Sequence, residues 1–131
     1  MALTVLAVGA FACVPTETAV YSEDDVVLLA RLITAEAGDQ PYEGQVAVGT
    51  VVMNRLDNGH WGDTIYSVIY YKKHFARPKN YYIRNCYKAA KAVLEGERNL
   101  PDYILYFQVL KERYFYGDWH CTIGEHNFYG D

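Results

Sequence analysis

On a helix of 3.6 residues per turn, Glu36 lies one turn beyond Leu32 and Ile33 and two turns beyond Leu29, so a carboxylate continues an apolar stripe. Removing water from such a group disfavours its anion. A carboxyl that keeps its proton near neutral pH can protonate a leaving oxygen, as breaking a glycosidic bond requires. Arg31 is rotated by about 140° from the stripe, so Glu36 is expected to titrate above the ordinary value of about 4.3. The competing reading is structural: a side chain turned to solvent, or an ion pair with Arg31 or Arg55. An Arg55 that reached Glu36 would lower its pKa instead.

Other reactive residue types are present without the spacing that chemistry needs. His120-Cys121 and His126, with His60, His74 and Cys86, are zinc-type ligands in none of the usual paired arrangements, and neither a metal nor another cofactor is expected. A nucleophilic Cys121 served by His120 is disfavoured, because adjacent residues of a strand point to opposite faces. Cys13, Cys86 and Cys121 leave one thiol over in any pairing. Cys86 and Cys121 are read as reduced, buried thiols, with a disulfide between them open to an exported protein. Asn54 is a polar candidate for a cleft, or else a donor to loop backbone. Tyr106 and Phe107 face opposite ways on a strand, so one lines a cleft while the other enters the core. Tyr106 is preferred, because its hydroxyl can bond a sugar on which its ring packs.

The elements that position these residues follow from caps and periodicity. Ser22 with Asp25 has the spacing of a helix start, and a first helix is expected over about Glu23 to Ala37, ended by a left-handed Gly38. Pro41 opens a second, about Tyr42 to Asp57, with Val46, Gly49, Val52, Met53 and Leu56 on its apolar face and Asn58-Gly59 as its stop. Gly49 costs about 1 kcal/mol relative to alanine in mid-helix, which points to another helix packed closely over it. Thr64 caps a short helix over Ile65 to Tyr71, His74 to Tyr82 reads as a loop, and a fourth helix spans about Arg84 to Glu95. Tyr103 to Phe107, Arg113 to Tyr116 and Asn127 to Tyr129 are strand candidates. Helices first and strands last make an α+β domain.

A chain of 131 residues, 51% hydrophobic and 21% charged, folds as one unit around one core. Its formal net charge of −4 offers nothing to a phosphate backbone, so nucleic acid is not an expected partner. Thirteen tyrosines suit both half-buried packing and contact with sugar faces. Residues 1–21 are set apart as an export remnant or an extra strand, because the apolar stretch from Met1 to Val14 is too short to span a bilayer and lacks a basic start. Residues 22–131 form the working domain.

Leu28-Leu29-Ala30-Arg31-Leu32-Ile33 running into Ala35-Glu36-Ala37, then Tyr42-Glu43-Gly44-Gln45-Val46-Ala47-Val48-Gly49 and Val52-Met53-Asn54-Arg55, resembles the spore cortex-lytic cell-wall hydrolase family of the SleB/CwlJ type. Weaker similarities follow at Thr64-Ile65, Leu105-Tyr106-Phe107 and Ile123-Gly124 with His126, so the likeness runs from about Asp24 to Tyr129. The segment from Tyr71 to Asn80 matches only around Phe75, and Gln108-Val109 stands where Asn-Pro is common. The resemblance implies a lysozyme-like fold and a monomer acting outside the cytoplasm, on cell wall or spore cortex, from a bacterial or phage source. It implies a lytic transglycosylase cutting between N-acetylmuramic acid and N-acetylglucosamine, with Glu36 as catalytic acid/base and 1,6-anhydromuramic products. Asn54, Phe75, Tyr106 and His126 are the candidate substrate contacts. The alternatives are a muramidase-type hydrolase of the same bond, which ordinarily needs a second carboxylate, and a peptidoglycan-binding module without activity. Since no step needs a metal, dialysis against EDTA is expected to leave glycan cleavage and melting temperature unchanged; a loss restored by zinc would place His120, His126 and a cysteine in a metal site.

Overall fold

The computed structural model describes residues 20–110 and 117–130. The expectations for residues 1–19, Cys13 and a strand at Arg113 to Tyr116 lie outside the described residues. Helix α1 spans Glu23–Ala37 and starts where Ser22 and Asp25 cap each other's free backbone groups. Helix α2 spans Tyr42–Asn58 and stops at Gly59, whose φ of 85° is left-handed. Gly38 is different: it stays right-handed, at φ −61°. A Cβ there would stand 3.0 Å from Ile83 Cδ1 and closer still to the Thr34 carbonyl, so glycine serves close approach and not a turn of the chain.

A short α3, Ile65–Ile69, is capped by Thr64 and followed by a single 3-10 turn over Tyr71–Lys73. Helix α4 covers Arg84–Leu94. Strands β1 (Ile104–Val109), β2 (Asp118–Ile123) and β3 (His126–Gly130) form an antiparallel sheet in the order β1-β3-β2, with bulges between Ile104 and Tyr106 and between Trp119 and Cys121. Among the described residues no helix is long and apolar enough to cross a membrane.

Helix α2 is the axis of the domain. Every residue from Gly44 to Arg55 is buried, with α1, α3, α4 and β1 packed around it. A helix buried all round must satisfy its polar side chains internally, and these do so by tying down the connections that pass them. Gln45 donates to the carbonyls of Ala37 and Gln40 in the α1–α2 turn. Asn54 donates to the carbonyls of Pro101 and Ile104, and Arg55 Nε to that of Leu105, fixing the start of β1. At the far end of the sheet, Gly124 (φ 59°) turns the β2–β3 hairpin against Gln40, whose Oε1 accepts from the Glu125 N–H at 2.8 Å. That clamp sets where His126 begins β3.

Gly49 sits under Val93 of α4 and Ile33 of α1: a Cβ would lie 3.0 Å from Val93 Cγ2 and 3.4 Å from Ile33 Cδ1. The close helix packing expected at this glycine is present. Gly49→Ala is expected to come out near neutral, because a helix-propensity gain of about 1 kcal/mol offsets the tight contact. Gly49→Val should overpack the three-helix junction and cost about 1–3 kcal/mol in urea unfolding; equal stability of the two variants would remove the packing explanation.

Candidate active site

Glu36 lies on the last turn of α1, half-buried beyond the fully buried Leu29, Leu32 and Ile33. The chain returns to it forty residues later. After α3 the backbone adopts left-handed φ values at Lys72 (44°) and Lys73 (58°), a conformation that costs non-glycine residues about 1–2 kcal/mol each. This reversal sends the following loop back along α1. Three bonds staple it there: Ala76 N–H to Glu36 Oε1, Lys79 N–H to the Arg31 carbonyl at 3.2 Å, and Ile83 N–H to Thr34 Oγ1 at 3.1 Å.

Between this loop and the sheet lies a cavity of about 330 Å³, within the size range of ligand clefts. Glu36, Arg55, His74 and Lys73 contribute its charged or titratable groups, Phe75 and Ala76 one wall, and Phe107, Gln108, Val109 and His126 the other. No other described residue lining it is acidic. Among the described residues no three His, Cys, Asp or Glu side chains converge in a group able to hold a metal ion. Cys86 and Cys121 are free thiols, and burial pushes both up in pKa.

Arg55 closes the back of the cavity. It is 4% exposed, and its guanidinium carbon stands 4.6 Å from the Phe75 ring centre, 4.9 Å from Trp61 and 5.2 Å from Tyr106. Burial pulls its pKa down to about 10, against the opposing pull of Tyr106 and Glu36, so it stays cationic at neutral pH. Its Nη1 lies 3.5 Å from His74 Nδ1. A guanidinium can only donate, so Nδ1 accepts and the His74 ring carries its proton on Nε2. Partial burial, then the charges of Arg55, Lys72 and His60, hold His74 below its ordinary pKa.

The apolar stripe expected beneath Glu36 is present, and the carboxylate itself is half-buried, accepts the Ala76 N–H and lies within reach of the Arg55 charge.

The other candidates are distributed unevenly. Phe75 and His126 line the cavity with Glu36. Asn54 does not: at 3% exposure, with its amide donating to two carbonyls, it positions the start of β1 from behind the cleft. Phe107 lines the Glu36 cavity, tilted against Phe75 at 5.9 Å and edge-on to His126 at 5.3 Å. Tyr106 packs beside Arg55 and against the edge of Trp61, and borders an adjoining hollow that shares Arg55, Lys73, His74 and Phe107 with the cavity. Sequence reasoning weighed Arg55 only as an ion-pair partner of Glu36, not as a wall of the cleft, and treated His74 as a metal ligand alone. Arg55 carried a usable signal, since it continues the Val48-Val51-Val52 stripe of α2 just as Glu36 continues that of α1.

A bundle of helices around one buried helix, with a small antiparallel sheet closing a cleft, defines a lysozyme-like α+β domain. A family model described as Cell Wall Hydrolase matches residues 39–129, and the chain belongs to that family. The match begins three residues past Glu36. The spore cortex-lytic enzyme of Oceanobacillus iheyensis is 44% identical over 55 residues, covering 42% of this chain and 20% of that protein. That of Bacillus cereus is 34% identical over 78 residues, covering 58% and 30%. The chain thus aligns with less than a third of the length of these curated relatives. Among solved structures, the catalytic domain of the Bacillus cereus SleB protein superposes with a TM-score of 0.75 at 25% identity, over 88% of this chain and 94% of that one. The catalytic domain of the germination-specific lytic transglycosylase SleB from Bacillus anthracis gives 0.74 at 24%, a likeness of fold.

His126 is 4% exposed, with Nδ1 enclosed and unpaired, and burial holds its pKa down despite the opposing charges of Asp39 and Glu125. A histidine whose pKa is lower folded than unfolded binds fewer protons when folded, so its contribution to stability falls as pH drops below the unfolded value of about 6.5. The melting temperature should decline between pH 7 and pH 5, and His126→Gln should flatten that decline; an identical slope in both proteins would show that other groups set it.

Proposed function

We propose that the chain cleaves the glycan strands of peptidoglycan between N-acetylmuramic acid and N-acetylglucosamine as a lytic transglycosylase, at the cell wall or spore cortex. The observation that carries the reading is the single carboxyl group, Glu36, among the described residues lining a cleft otherwise walled by aromatic, histidine and cationic side chains. Hydrolases of this bond ordinarily use two carboxyl groups, the second as nucleophile or to activate water. An internal displacement needs one. The curated relatives named as spore cortex-lytic enzymes, and a structural neighbour titled as a lytic transglycosylase, support the same reaction.

Protonated Glu36 gives its proton to the bridging oxygen as the bond from that oxygen to C1 of the muramyl sugar breaks. The 6-hydroxyl of the same sugar bonds to C1 and closes the 1,6-anhydro ring, and its proton passes to the Glu36 carboxylate. The acid is restored each turn, and water is not consumed. Ala76 donates its N–H to Glu36 Oε1, and the Arg55 guanidinium lies within reach of the same carboxyl. Arg55 then stabilises the carboxylate that remains after proton transfer. Phe75 and Phe107 offer ring faces to the sugar, and His126, neutral near pH 7, offers Nε2 as a hydrogen-bonding group.

Glu36→Gln keeps the shape and removes the proton, so glycan release from purified sacculi is expected to fall by about 10²–10⁴-fold with the fold intact by circular dichroism. Mass spectrometry of the wild-type digest should find anhydro-muropeptides. Reducing-end products would assign the chain to the hydrolases, and more than about a tenth of the activity in Glu36→Gln would take Glu36 out of the acid/base role.

A further inference from the structure

The Glu36 cavity does not end at its own walls. It shares Lys73, Phe75 and Ala76 with a second hollow of about 630 Å³ that reaches Tyr66, Tyr70 and Arg77. That hollow shares Tyr70, Arg77 and Pro78 with a third, of about 510 Å³, ending at Arg31 and Lys79. Shared walls make the three one groove, running from the proposed acid along the loop stapled to α1.

Two features of the groove ask for a ligand. Tyr66 and Tyr70 are 63% and 46% exposed, and their rings pair at 4.6 Å with a tilt of 42°, presenting an aromatic platform at the groove's edge. A single exposed tyrosine needs no explanation, but a paired platform continuous with a glycan cleft matches the apolar face of a sugar ring. Beyond it the charge is positive. Arg31, Arg77 and Lys79 line the groove, none has an acidic partner among the described residues, and Arg31 Nε is enclosed without an acceptor. Cations gathered on one wall of a chain of net charge −4 mark a place for anions, and guanidinium groups pair with carboxylates in a two-pronged geometry.

We propose that this groove is a carboxylate-reading subsite: it holds a muramyl residue one or more sugars from the cut bond, its ring on Tyr66 and Tyr70 and the carboxylate of its lactyl group or peptide stem on Arg77 and Arg31. The inference rests on the peptidoglycan reading and adds a substrate class to it. Muramyl units that carry a carboxylate are bound there, and units whose carboxyl is blocked lose that contact.

The test measures binding by co-sedimentation of the full chain carrying Glu36→Gln, which leaves the substrate uncut, with and without Arg77→Gln or Tyr66→Ala. Two substrates are compared: native sacculi, and the same sacculi with their carboxyls converted to methylamides. Arg77 and Tyr66 are exposed, and an unchanged melting temperature confirms that the variants fold. Arg77→Gln is expected to weaken binding to native sacculi about tenfold, the scale of one charge-assisted hydrogen bond, and to change nothing on methylamide sacculi. Tyr66→Ala should weaken both several-fold. Equal affinity of the Glu36→Gln chain for the two substrates, or an Arg77→Gln effect that persists on methylamide sacculi, would overturn the subsite. Failure of the catalytic reading is seen separately, in the digestion products of the wild-type chain.

Discussion

A positive charge shut inside the domain organises the site. Arg55 is the last buried residue of the central helix, and a buried cation without partners would cost several kcal/mol, so its surroundings must be arranged to receive it. They are: its Nε donates to the Leu105 carbonyl at 2.7 Å, three aromatic rings stand around the guanidinium, and Nη1 turns toward His74. Each partner comes from a different stretch of chain. Leu105 and Tyr106 belong to β1, Trp61 to the turn after α2, and Phe75 and His74 to the loop that returns to Glu36. Satisfying one charge therefore draws the sheet, the turn and the loop to the same point, and the cleft is the space left between them.

The same charge shapes the chemistry of Glu36. A carboxyl sunk wholly among Leu29, Leu32 and Ile33 would hold its proton, yet after transfer its anion would have nothing to stabilise it. A carboxyl beside a guanidinium in open water would never be an acid. Half-burial over an apolar stripe, with Arg55 near and the Ala76 N–H directed at Oε1, lies between these limits. The proposed displacement asks one group both to give and to take a proton in a single turnover.

Elements whose cause is local were legible in the sequence. Ser22 with Asp25 and Asn58-Gly59 fix helix ends by their own hydrogen bonds, and the observed boundaries of α1, α2 and α4 fall within a residue of expectation. Gly49 announced a close helix contact because nothing else compensates a mid-helix glycine. Features whose cause is a distant partner were not legible. Strand β2 has three exposed residues at its start and no clean alternation; it is a strand because β3 pairs with it. Tyr106 was preferred for its hydroxyl, and the sequence did not show that its ring packs beside Arg55 and Trp61 or that Phe107 lines the cavity next to it. Gly38 reads as a stop signal until Ile83 is known to press on it. Asn54 looked equally suited to substrate or backbone, and the burial of α2 decides where its donors go.

The loop from Lys72 to Ile83 belongs to a different energetic layer from the helices it crosses. It holds the left-handed residues of the cleft, buries few side chains beyond Phe75, and is tied to α1 by three backbone donors, two of them to side-chain oxygens. Bonds from backbone N–H groups constrain the path of a loop without constraining most of its side chains. Phe75 is the exception, because it fills the space between Arg55 and Phe107. The neighbouring Lys73, Arg77 and Lys79 line the grooves instead. On the proposed reading, catalysis draws on the core through Arg55 and Glu36 while recognition lies on a strap over it, and altering the strap's charges would disturb neither the buried cation nor the acid.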